Sequence, residues 1–190
     1  MRSNPALGPG VRTFLCGLLW VMLASAGSGY AAEVRRYSDE DRDWGVAPIA
    51  RLRQPPYHAP TPLQIPGAAV IYTEELRAML AGPDRPVLVD VLSGEGHETL
   101  PGAAWLGGAG RGDDFNDPVQ ADLAPLLFQL AGGNKSRPMV FFCASSECWL
   151  SYNAALRALA AGHTRVLWYR GGIDAWVDAA LPTARTVASQ

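Results

Sequence analysis

From residue 67 onward, short apolar runs alternate with segments that carry helix start and stop signals. The runs predict strands at residues 68–72, 87–92, 103–106, 138–143 and 166–169, and the segments between them predict helices at 73–82, 117–130, 150–161 and 173–180. Strands that alternate with helices form a parallel sheet with helices on both of its faces. We therefore expect an α/β domain of three layers, with a mostly parallel central sheet of about five strands.

The strongest strand prediction, at residues 138–143, ends at a cysteine. In open parallel sheets, ligands bind beyond the carboxyl ends of the strands. Cys143 is the last residue of this strand, and residues 144–149 connect it to the next helix. We expect the functional site in this strand-to-helix loop.

The loop contains side chains that can carry chemistry. Amide groups at a helix start stabilise a thiolate or a bound oxyanion, which favours Cys143 as a nucleophile, although a cysteine that ends a strand is often only a small buried residue. Cys148 lies in the same curved loop, within reach for a reversible or a purely structural disulfide. The other candidate site residues of the loop are Ser145, Ser146, Glu147 and Trp149. Trp149 either shields the sulfur atoms or belongs to the core.

Metal and cofactor motifs are absent from the sequence. His58, His97 and His163 are not at metal-ligand spacing, and two thiols alone do not complete a tetrahedral site. The glycine-rich run at 107–110 resembles a phosphate loop only superficially and predicts a flexible turn. We expect no metal and no cofactor.

Residues 1–31 have the features of a secretory signal peptide. Arg2 and Arg12 precede an apolar run at 14–26, and small residues follow it as far as Ala31. This order of charged, apolar and small residues is typical of a cleaved leader, and the run is shorter than the ~20 residues of a membrane span. We expect cleavage after Ala31 and a periplasmic protein that does not span the membrane. The alternative is an uncleaved membrane anchor.

Residues 32–66 differ in composition from the rest of the chain. They contain a charged run at 38–43 and six prolines between residues 48 and 66, and prolines oppose helices and sheet ladders. We expect an extended N-terminal arm that contributes little to the core and contacts it through Trp44, Tyr57 and Leu63. A disordered linker is the alternative. The globular domain would then span 67–185, followed by a tail at 186–190.

Loss of the leader changes the charge and the cysteine content. Arg2 and Arg12 are two of the 16 basic residues, so 14 remain against 18 acidic residues. A mildly acidic chain lacks the basic stripe of a nucleic-acid-binding protein, and we expect no nucleic-acid partner. Cys16 departs with the leader, which leaves Cys143 and Cys148 in a compartment where disulfides form.

Several motifs in the C-terminal part resemble those of rhodanese domains and occur in that family's order. They are Val89-Asp90-Val91, Leu100-Pro101-Gly102-Ala103, Phe142-Cys143, Tyr169-Arg170-Gly171-Gly172-Ile173-Asp174-Ala175-Trp176 and Leu181-Pro182. The resemblance implies the three-layer rhodanese-like fold over residues 67–183. It also implies that Cys143 is the position that carries a sulfane sulfur as a persulfide.

Three features depart from the rhodanese pattern. The loop after Cys143 is longer, it has Glu147 and Cys148 where sulfurtransferases have an arginine, and Leu92 replaces an arginine after Asp90. Anionic sulfur donors need positive charge near the sulfur atom. We therefore expect weak or absent thiosulfate sulfurtransferase activity.

A narrower resemblance concerns the pyrroloquinoline-quinone (PQQ)-dependent catabolism-associated proteins with a C-x-x-x-C-W motif. It rests on Cys148-Trp149-Leu150-Ser151-Tyr152-Asn153-Ala154-Ala155, on Trp168-Tyr169 and on Tyr57-His58-Ala59-Pro60-Thr61-Pro62. Those proteins are exported, rhodanese-like and linked to periplasmic alcohol oxidation by quinone enzymes, with a suggested redox role. In this chain the spacing is Cys143-x-x-x-x-Cys148-Trp149, which is one residue longer.

Two hypotheses of function follow. In the first, Cys143 is a nucleophile in thiol–persulfide or dithiol–disulfide chemistry, Cys148 is its resolving partner, and Asp90 supports the loop from nearby. In the second, the domain is a catalytically silent binding or accessory module. The paired cysteines favour the first hypothesis and the missing loop arginine favours the second. The expected partner is a periplasmic quinone-dependent dehydrogenase system or a small sulfur compound.

Overall fold

The computed structural model describes residues 35–186. The predicted signal peptide and all but the first residue of the predicted tail lie outside the described residues. Within them, a five-stranded parallel sheet carries four α-helices, which confirms the expected α/β architecture. None of the helices in residues 35–186 is long and apolar enough to cross a membrane.

The strands and helices alternate along the chain. The strands are β1 (Ala69–Ile71), β2 (Val87–Asp90), β3 (Glu98–Thr99), β4 (Ala104–Trp105), β5 (Met139–Phe142), β6 (Val166–Tyr169) and β7 (Ala184–Arg185). The helices are α1 (Thr73–Ala81), α2 (Pro118–Leu130), α3 (Trp149–Ala160) and α4 (Gly172–Asp178). The central sheet has the order β1-β6-β5-β2-β4 with parallel neighbours. A separate antiparallel pair, β3 with β7, was not predicted, because two residues are too few to show a period.

Strand β5 lies in the middle of the sheet and contributes to two hydrophobic cores. Met139, Phe141 and Cys143 belong to the core that includes α2 and α3, whereas Val140 and Phe142 belong to the core that includes α1 and α4. Successive side chains of a strand point to opposite faces of the sheet. Cys143 therefore lies on the same face of the sheet as helix α3.

A buried ion pair connects helices α2 and α3. Arg157, in α3, is fully buried, and its Nη2 atom lies 2.6 Å from Oδ2 of Asp117. Asp117 is the N-cap of α2 and accepts a hydrogen bond from the backbone N–H of Gln120. The hydrogen bond from Arg157 lowers the pKa of Asp117 to about 2, so the pair stays charged at neutral pH.

The N-terminal arm packs against the domain, and the expectation that it contributes little to the core is wrong. Leu52 and Ile65 are buried in the core beside α3, and Tyr37 is buried in the opposite core. The described part of the arm, residues 35–66, has no helix and no strand of the sheet, as its prolines predict. An extended chain can nevertheless place separate apolar side chains in two cores, because each side chain packs without a regular element.

Candidate functional site

Cys143 and Cys148 form a disulfide at the carboxyl end of the sheet, with their Cα atoms 6.1 Å apart. Strand β5 ends just before Cys143, and helix α3 begins just after Cys148. Between them, a turn at Ser145 accepts hydrogen bonds from the N–H groups of Glu147 and Cys148. The turn brings the chain back toward Cys143, so the predicted reach between the two cysteines is present.

Helix α4 holds the loop from the other side. The N–H groups of Ile173 and Asp174 donate to the carbonyl oxygens of Cys143 and Ala144, at 3.0 and 2.9 Å. Gly172 has a φ of +60°, and a Cβ atom at this position would collide with the carbonyl oxygen of Cys143. The glycine is therefore required both by its left-handed conformation and by the close approach of the cysteine loop.

Three amides at the end of the loop bond to protein oxygens and not to the sulfur atoms. The N–H of Glu147 donates to Oγ of Ser145, that of Cys148 donates to the carbonyl of the same serine, and that of Trp149 donates to the carbonyl of Tyr57. We expected such amides to stabilise a thiolate or an oxyanion. For these three groups the expectation is wrong, because each already has an acceptor.

Residues 57–61 of the N-terminal arm lie across the loop, and we call them the covering segment. The N–H of Trp149 donates to the carbonyl of Tyr57, and the N–H of Ala59 donates to the carbonyl of Glu147, both at 2.9 Å. The hydroxyl of Thr61 donates to the carbonyl of Ser146. Beneath this segment Cys143 is 1% exposed and Cys148 is 7% exposed. The disulfide is therefore closed off from solvent by a part of the chain that precedes the sheet.

Arg170, directly after strand β6, fixes the N-terminal arm in place. The side chain is fully buried, and its guanidinium lies 4.8 Å from the ring of Trp44. It donates hydrogen bonds of 2.9–3.0 Å to the Thr61 hydroxyl and to the main-chain carbonyls of Asp39, Glu40, Arg42 and Thr61. Burial lowers the pKa of Arg170, but the ring of carbonyl oxygens solvates its charge in place of water. One arginine thus holds both the start of the arm and the covering segment.

A second buried contact fixes the start of the arm. Glu40 is fully buried, and burial raises the pKa of its carboxyl group. It accepts hydrogen bonds from the N–H of Tyr37 and from the N–H and hydroxyl of Thr73, at 3.1, 2.9 and 2.7 Å. Thr73 is the first residue of α1. Glu40 therefore connects the start of the arm to the N-terminus of this helix.

Asp90, a predicted supporting residue, is fully buried at the end of β2 but bonds to a different segment. Its carboxylate accepts from the hydroxyl of Thr99 at 2.6 Å and from the N–H of Leu92 at 2.9 Å, and it lies 2.8 Å from Nε2 of His97. Asp90 is paired in register with Phe142, whose side chain is on the opposite face of the sheet from that of Cys143. The structure therefore does not bring this carboxylate to the cysteine pair.

The remaining predicted residues lie around the disulfide. Trp149 is buried, packs edge-on against Tyr152 with ring centroids 4.9 Å apart, and donates from Nε1 to the carbonyl of Pro60. Ser146 is buried, and Ser145 and Glu147 are half-buried. In the described part of the chain, no group of three or more His, Cys, Asp or Glu side chains is arranged to hold a metal ion.

A comparison with protein-family models identifies the family of this α/β domain. The model of the rhodanese-like domain matches residues 72–179, more than half of the chain. The chain belongs to the rhodanese-like domain family. The matched part of this rhodanese-like protein begins after the N-terminal arm, so the covering segment and most contacts of Arg170 involve residues outside the family match.

Solved structures with similar folds are distant in sequence. EanB in complex with hercynine is 22% identical, with a TM-score of 0.48 over 62% of this chain and 32% of that one. A thiosulfate sulfurtransferase from Pseudomonas aeruginosa is 19% identical, with a TM-score of 0.46 over 62% of this chain and 20% of that one. The rhodanese-like domain of an Anabaena protein is 19% identical, with a TM-score of 0.46 over 65% of this chain and 83% of that one. Among curated proteins, none matches the chain significantly.

The site can perform chemistry that involves two sulfur atoms. A disulfide at this position can accept two electrons and two protons and become two thiols. If Cys143 instead carried a persulfide, attack by the Cys148 thiol would form the same disulfide and release hydrogen sulfide. Sequence reasoning located both cysteines but missed the covering segment and Arg170. A signal for Arg170 was present, since a charged side chain between an apolar strand and two glycines is unusual unless it is paired.

Proposed function

We propose that this rhodanese-like protein is exported to the periplasm and uses Cys143 and Cys148 as a dithiol–disulfide pair in redox exchange. The observation that supports the proposal is the disulfide between the two ends of the strand-to-helix loop. In this exchange a dithiol donor would give two electrons and two protons to the pair. The donor would become a disulfide, and Cys143 and Cys148 would become thiols.

Redox exchange fits this loop better than the transfer of sulfur from thiosulfate. A sulfurtransferase must hold an anionic donor beside a thiolate, but three loop amides are already bonded within the protein, and Glu147 stands where the family has an arginine. A disulfide exchange requires only a second thiolate in line with the sulfur–sulfur bond. The pair itself supplies the resolving thiol.

The physiological setting that we propose is periplasmic alcohol oxidation by PQQ-dependent enzymes. Support for export comes from the charged, apolar and small-residue order of residues 1–31. Support for the link to PQQ comes from the similarity of residues 148–155 and 57–62 to the C-x-x-x-C-W motif proteins. In this setting the partner is a quinone-dependent dehydrogenase system, and the protein is an accessory component.

A second candidate function is a catalytically silent binding or accessory module. The observation in its favour is the burial of both sulfur atoms, since Cys143 is only 1% exposed and Cys148 only 7%. A thiolate partner has to reach one of the sulfur atoms along the axis of the bond. In a silent module the disulfide would serve to hold the loop, and the covering segment would never need to move.

Thiol trapping across a series of redox buffers distinguishes the two candidates. The full exported protein is equilibrated with glutathione or dithiothreitol couples, alkylated, and analysed by mass spectrometry, with Cys143→Ser and Cys148→Ser as controls that cannot form the bond. A redox protein should pass from disulfide to two thiols at a potential accessible to cellular dithiols. Two free thiols in every oxidising buffer, or a bond that persists in strongly reducing buffer without denaturant, would contradict the redox proposal.

Export and the link to alcohol oxidation have separate tests. Intact-mass measurement on periplasmic protein should give a chain that begins between residues 27 and 33, and a full-length product in the cytoplasm would contradict export. In native cells, growth on an alcohol should change the trapped dithiol fraction relative to growth on an organic acid. An equal fraction under both conditions would contradict the link to alcohol oxidation.

A further inference from the structure

A cavity of about 410 Å³ lies between the N-terminal arm and the first residue of helix α3. Its lining includes Val46, Ile49, Arg51, Arg53, Gln54 and Trp149. The volume is within the range of small-molecule sites. Except for Trp149, the lining residues precede the family match at residues 72–179, so the cavity is a feature of this chain's arm and not of the rhodanese-like domain alone.

The electrostatic character of the cavity is positive. Two arginines, Arg51 and Arg53, are in the lining, and the lining contains no acidic residue. Within residues 35–186, the ion pairs involve other arginines, and neither Arg51 nor Arg53 is in one. Two uncompensated arginines in one concave site favour an anion, because a carboxylate or a sulfonate can bind a guanidinium through two parallel hydrogen bonds.

Arg53 is held in a fixed position. Its main-chain N–H and carbonyl both bond to the side chain of Asn153, at 2.8 and 2.9 Å, and its guanidinium carbon lies 5.4 Å from the ring centre of Trp149. The Nε–H group is buried and has no hydrogen-bond acceptor among the described residues. A buried donor without an acceptor costs free energy, so the neighbourhood of this guanidinium has an unmet demand for an acceptor.

The other walls of the cavity are apolar. Val46, Ile49 and Trp149 line the same space as the two arginines. Apolar walls beside two positive charges suit a ligand with an organic body and one acidic group. Inorganic anions would leave the apolar surface uncovered, and neutral apolar ligands would leave the guanidinium groups unpaired.

We propose that this cavity binds a small organic anion, with a carboxylate or sulfonate group on Arg51 and Arg53 and an apolar body against Val46, Ile49 and Trp149. Neither cysteine lines the cavity, so the assignment concerns binding and not sulfur transfer. It stands independently of the redox proposal. Trp149 is the first residue of helix α3 and directly follows Cys148. A ligand in contact with Trp149 would therefore lie one residue away from the disulfide in the sequence.

Calorimetric titration of the full protein with three probes tests the proposal. Benzoate carries both an organic body and a carboxylate, benzyl alcohol has nearly the same body without the charge, and sulfate has charge without the body. Benzoate should bind saturably, at least about tenfold more tightly than either of the other probes, since a charge-assisted hydrogen bond contributes more than a neutral one. High salt should weaken the binding.

Variants assign the binding to the two arginines. Arg51→Gln and Arg53→Gln should each weaken benzoate binding about tenfold, whereas Arg85→Gln, which removes an exposed arginine outside the cavity, should leave it unchanged. Arg51 is exposed, so its substitution tests the site even if Arg53→Gln disturbs the arm. The proposal is overturned if benzoate fails to bind, if benzyl alcohol or sulfate binds as tightly, or if all three variants bind benzoate equally well.

Discussion

His58 and Cys148 pair as an isolated antiparallel bridge, outside every sheet of the domain. The bridge consists of main-chain hydrogen bonds made by the residues on either side, from Trp149 to Tyr57 and from Ala59 to Glu147. It places a residue of the N-terminal arm directly over one end of the disulfide. Access to the sulfur atoms therefore depends on whether this short piece of chain stays in place.

Replacement of Ala59 by proline should make the disulfide easier to reduce. The substitution removes the N–H that donates to the carbonyl of Glu147. Loss of one hydrogen bond costs about 1 kcal/mol, so the open state of the covering segment should become about five times more populated. The rate of reduction by dithiothreitol, followed by alkylation and mass spectrometry, should increase about fivefold.

Ala47→Pro is the matched control for this experiment. Ala47 also precedes a proline, is exposed, and makes neither of the two hydrogen bonds of the bridge. Its substitution should leave the reduction rate unchanged. Equal rates in wild type and Ala59→Pro would mean that the reductant reaches the disulfide without movement of the covering segment.

Thiosulfate sulfurtransferase activity should be weak or absent. The donor is a dianion, and the amides of Glu147, Cys148 and Trp149 are unavailable to it because each is already bonded to a protein oxygen. The measurement is thiocyanate formation from thiosulfate and cyanide by pre-reduced protein, with Cys143→Ser as the background. Turnover comparable with that of ordinary rhodaneses would show that another group stabilises the donor.

The central domain could be predicted from the sequence because its signals are local. The run of apolar residues in β5 ends at Cys143. The strand prediction alone therefore places Cys143 at the carboxyl end of the sheet. The reach of Cys148 to Cys143 followed from the short loop between them. The five strands of the parallel sheet and all four helices lie where the alternation of apolar runs and helix signals predicts them.

The N-terminal arm could not be predicted because its contacts are distant and mostly made by the main chain. Thr61 bonds to Arg170 across 109 positions of the sequence, and the acceptors of this arginine are mainly carbonyl oxygens, which every residue type possesses. A proline-rich segment also lacks the period that reveals a buried face. Asp90 was wrongly expected to support the cysteine loop. It does end a strand, but its side chain is on the face of the sheet opposite Cys143.

Asp117→Asn should destabilise the fold and remove part of its acid sensitivity. Arg157 is fully buried, and loss of its charged partner should cost about 3 kcal/mol at pH 7. The pKa of Asp117 is about 2 in the folded protein and 3.8 ordinarily. Its stabilising contribution is therefore complete above pH 3.8 and is lost as the pH falls toward 2.

Urea unfolding of wild type, Asp117→Asn and Asp122→Asn as a function of pH checks this prediction. Asp122 is an exposed residue of the same helix, so its substitution controls for a simple change of charge. The difference between wild type and Asp117→Asn should shrink as the pH falls through this window. A difference that does not depend on pH would mean that the asparagine disturbs packing and that the ion pair contributes nothing.

His163 should make the folded protein less stable in mild acid. It is 2% exposed, and neither ring nitrogen has a hydrogen-bond partner among the described residues. Burial, and then the charge of Lys135, lower its pKa below the ordinary 6.5. Below pH 6.5 the unfolded chain binds a proton that the folded chain does not, so stability falls with pH until the folded pKa is passed.

His163→Leu removes this titration and places an apolar side chain of similar size in the same buried position. The free energy of unfolding of the variant should change less between pH 7 and pH 5 than that of the wild type, and the two curves should converge above pH 7 apart from a constant packing difference. Urea unfolding at half-unit pH intervals provides the comparison. Identical slopes in the two proteins would show that His163 does not titrate in this range.

Arg170→Leu should release the N-terminal arm and, with it, the protection of the disulfide. The substitution leaves four main-chain carbonyls without their donor, and lost hydrogen bonds to a charged group cost about 1.5–3 kcal/mol each. Limited proteolysis should cut the variant within residues 35–66 before the sheet is attacked, and dithiothreitol should reduce its disulfide faster. Arg165→Leu, at an exposed arginine directly before β6, should behave like wild type in both measurements. If both variants were cut and reduced alike, the arm would be held by Leu52, Ile65 and Glu40 without help from Arg170. Early proteolysis without faster reduction would instead mean that residues 57–61 remain on the loop when the start of the arm is free.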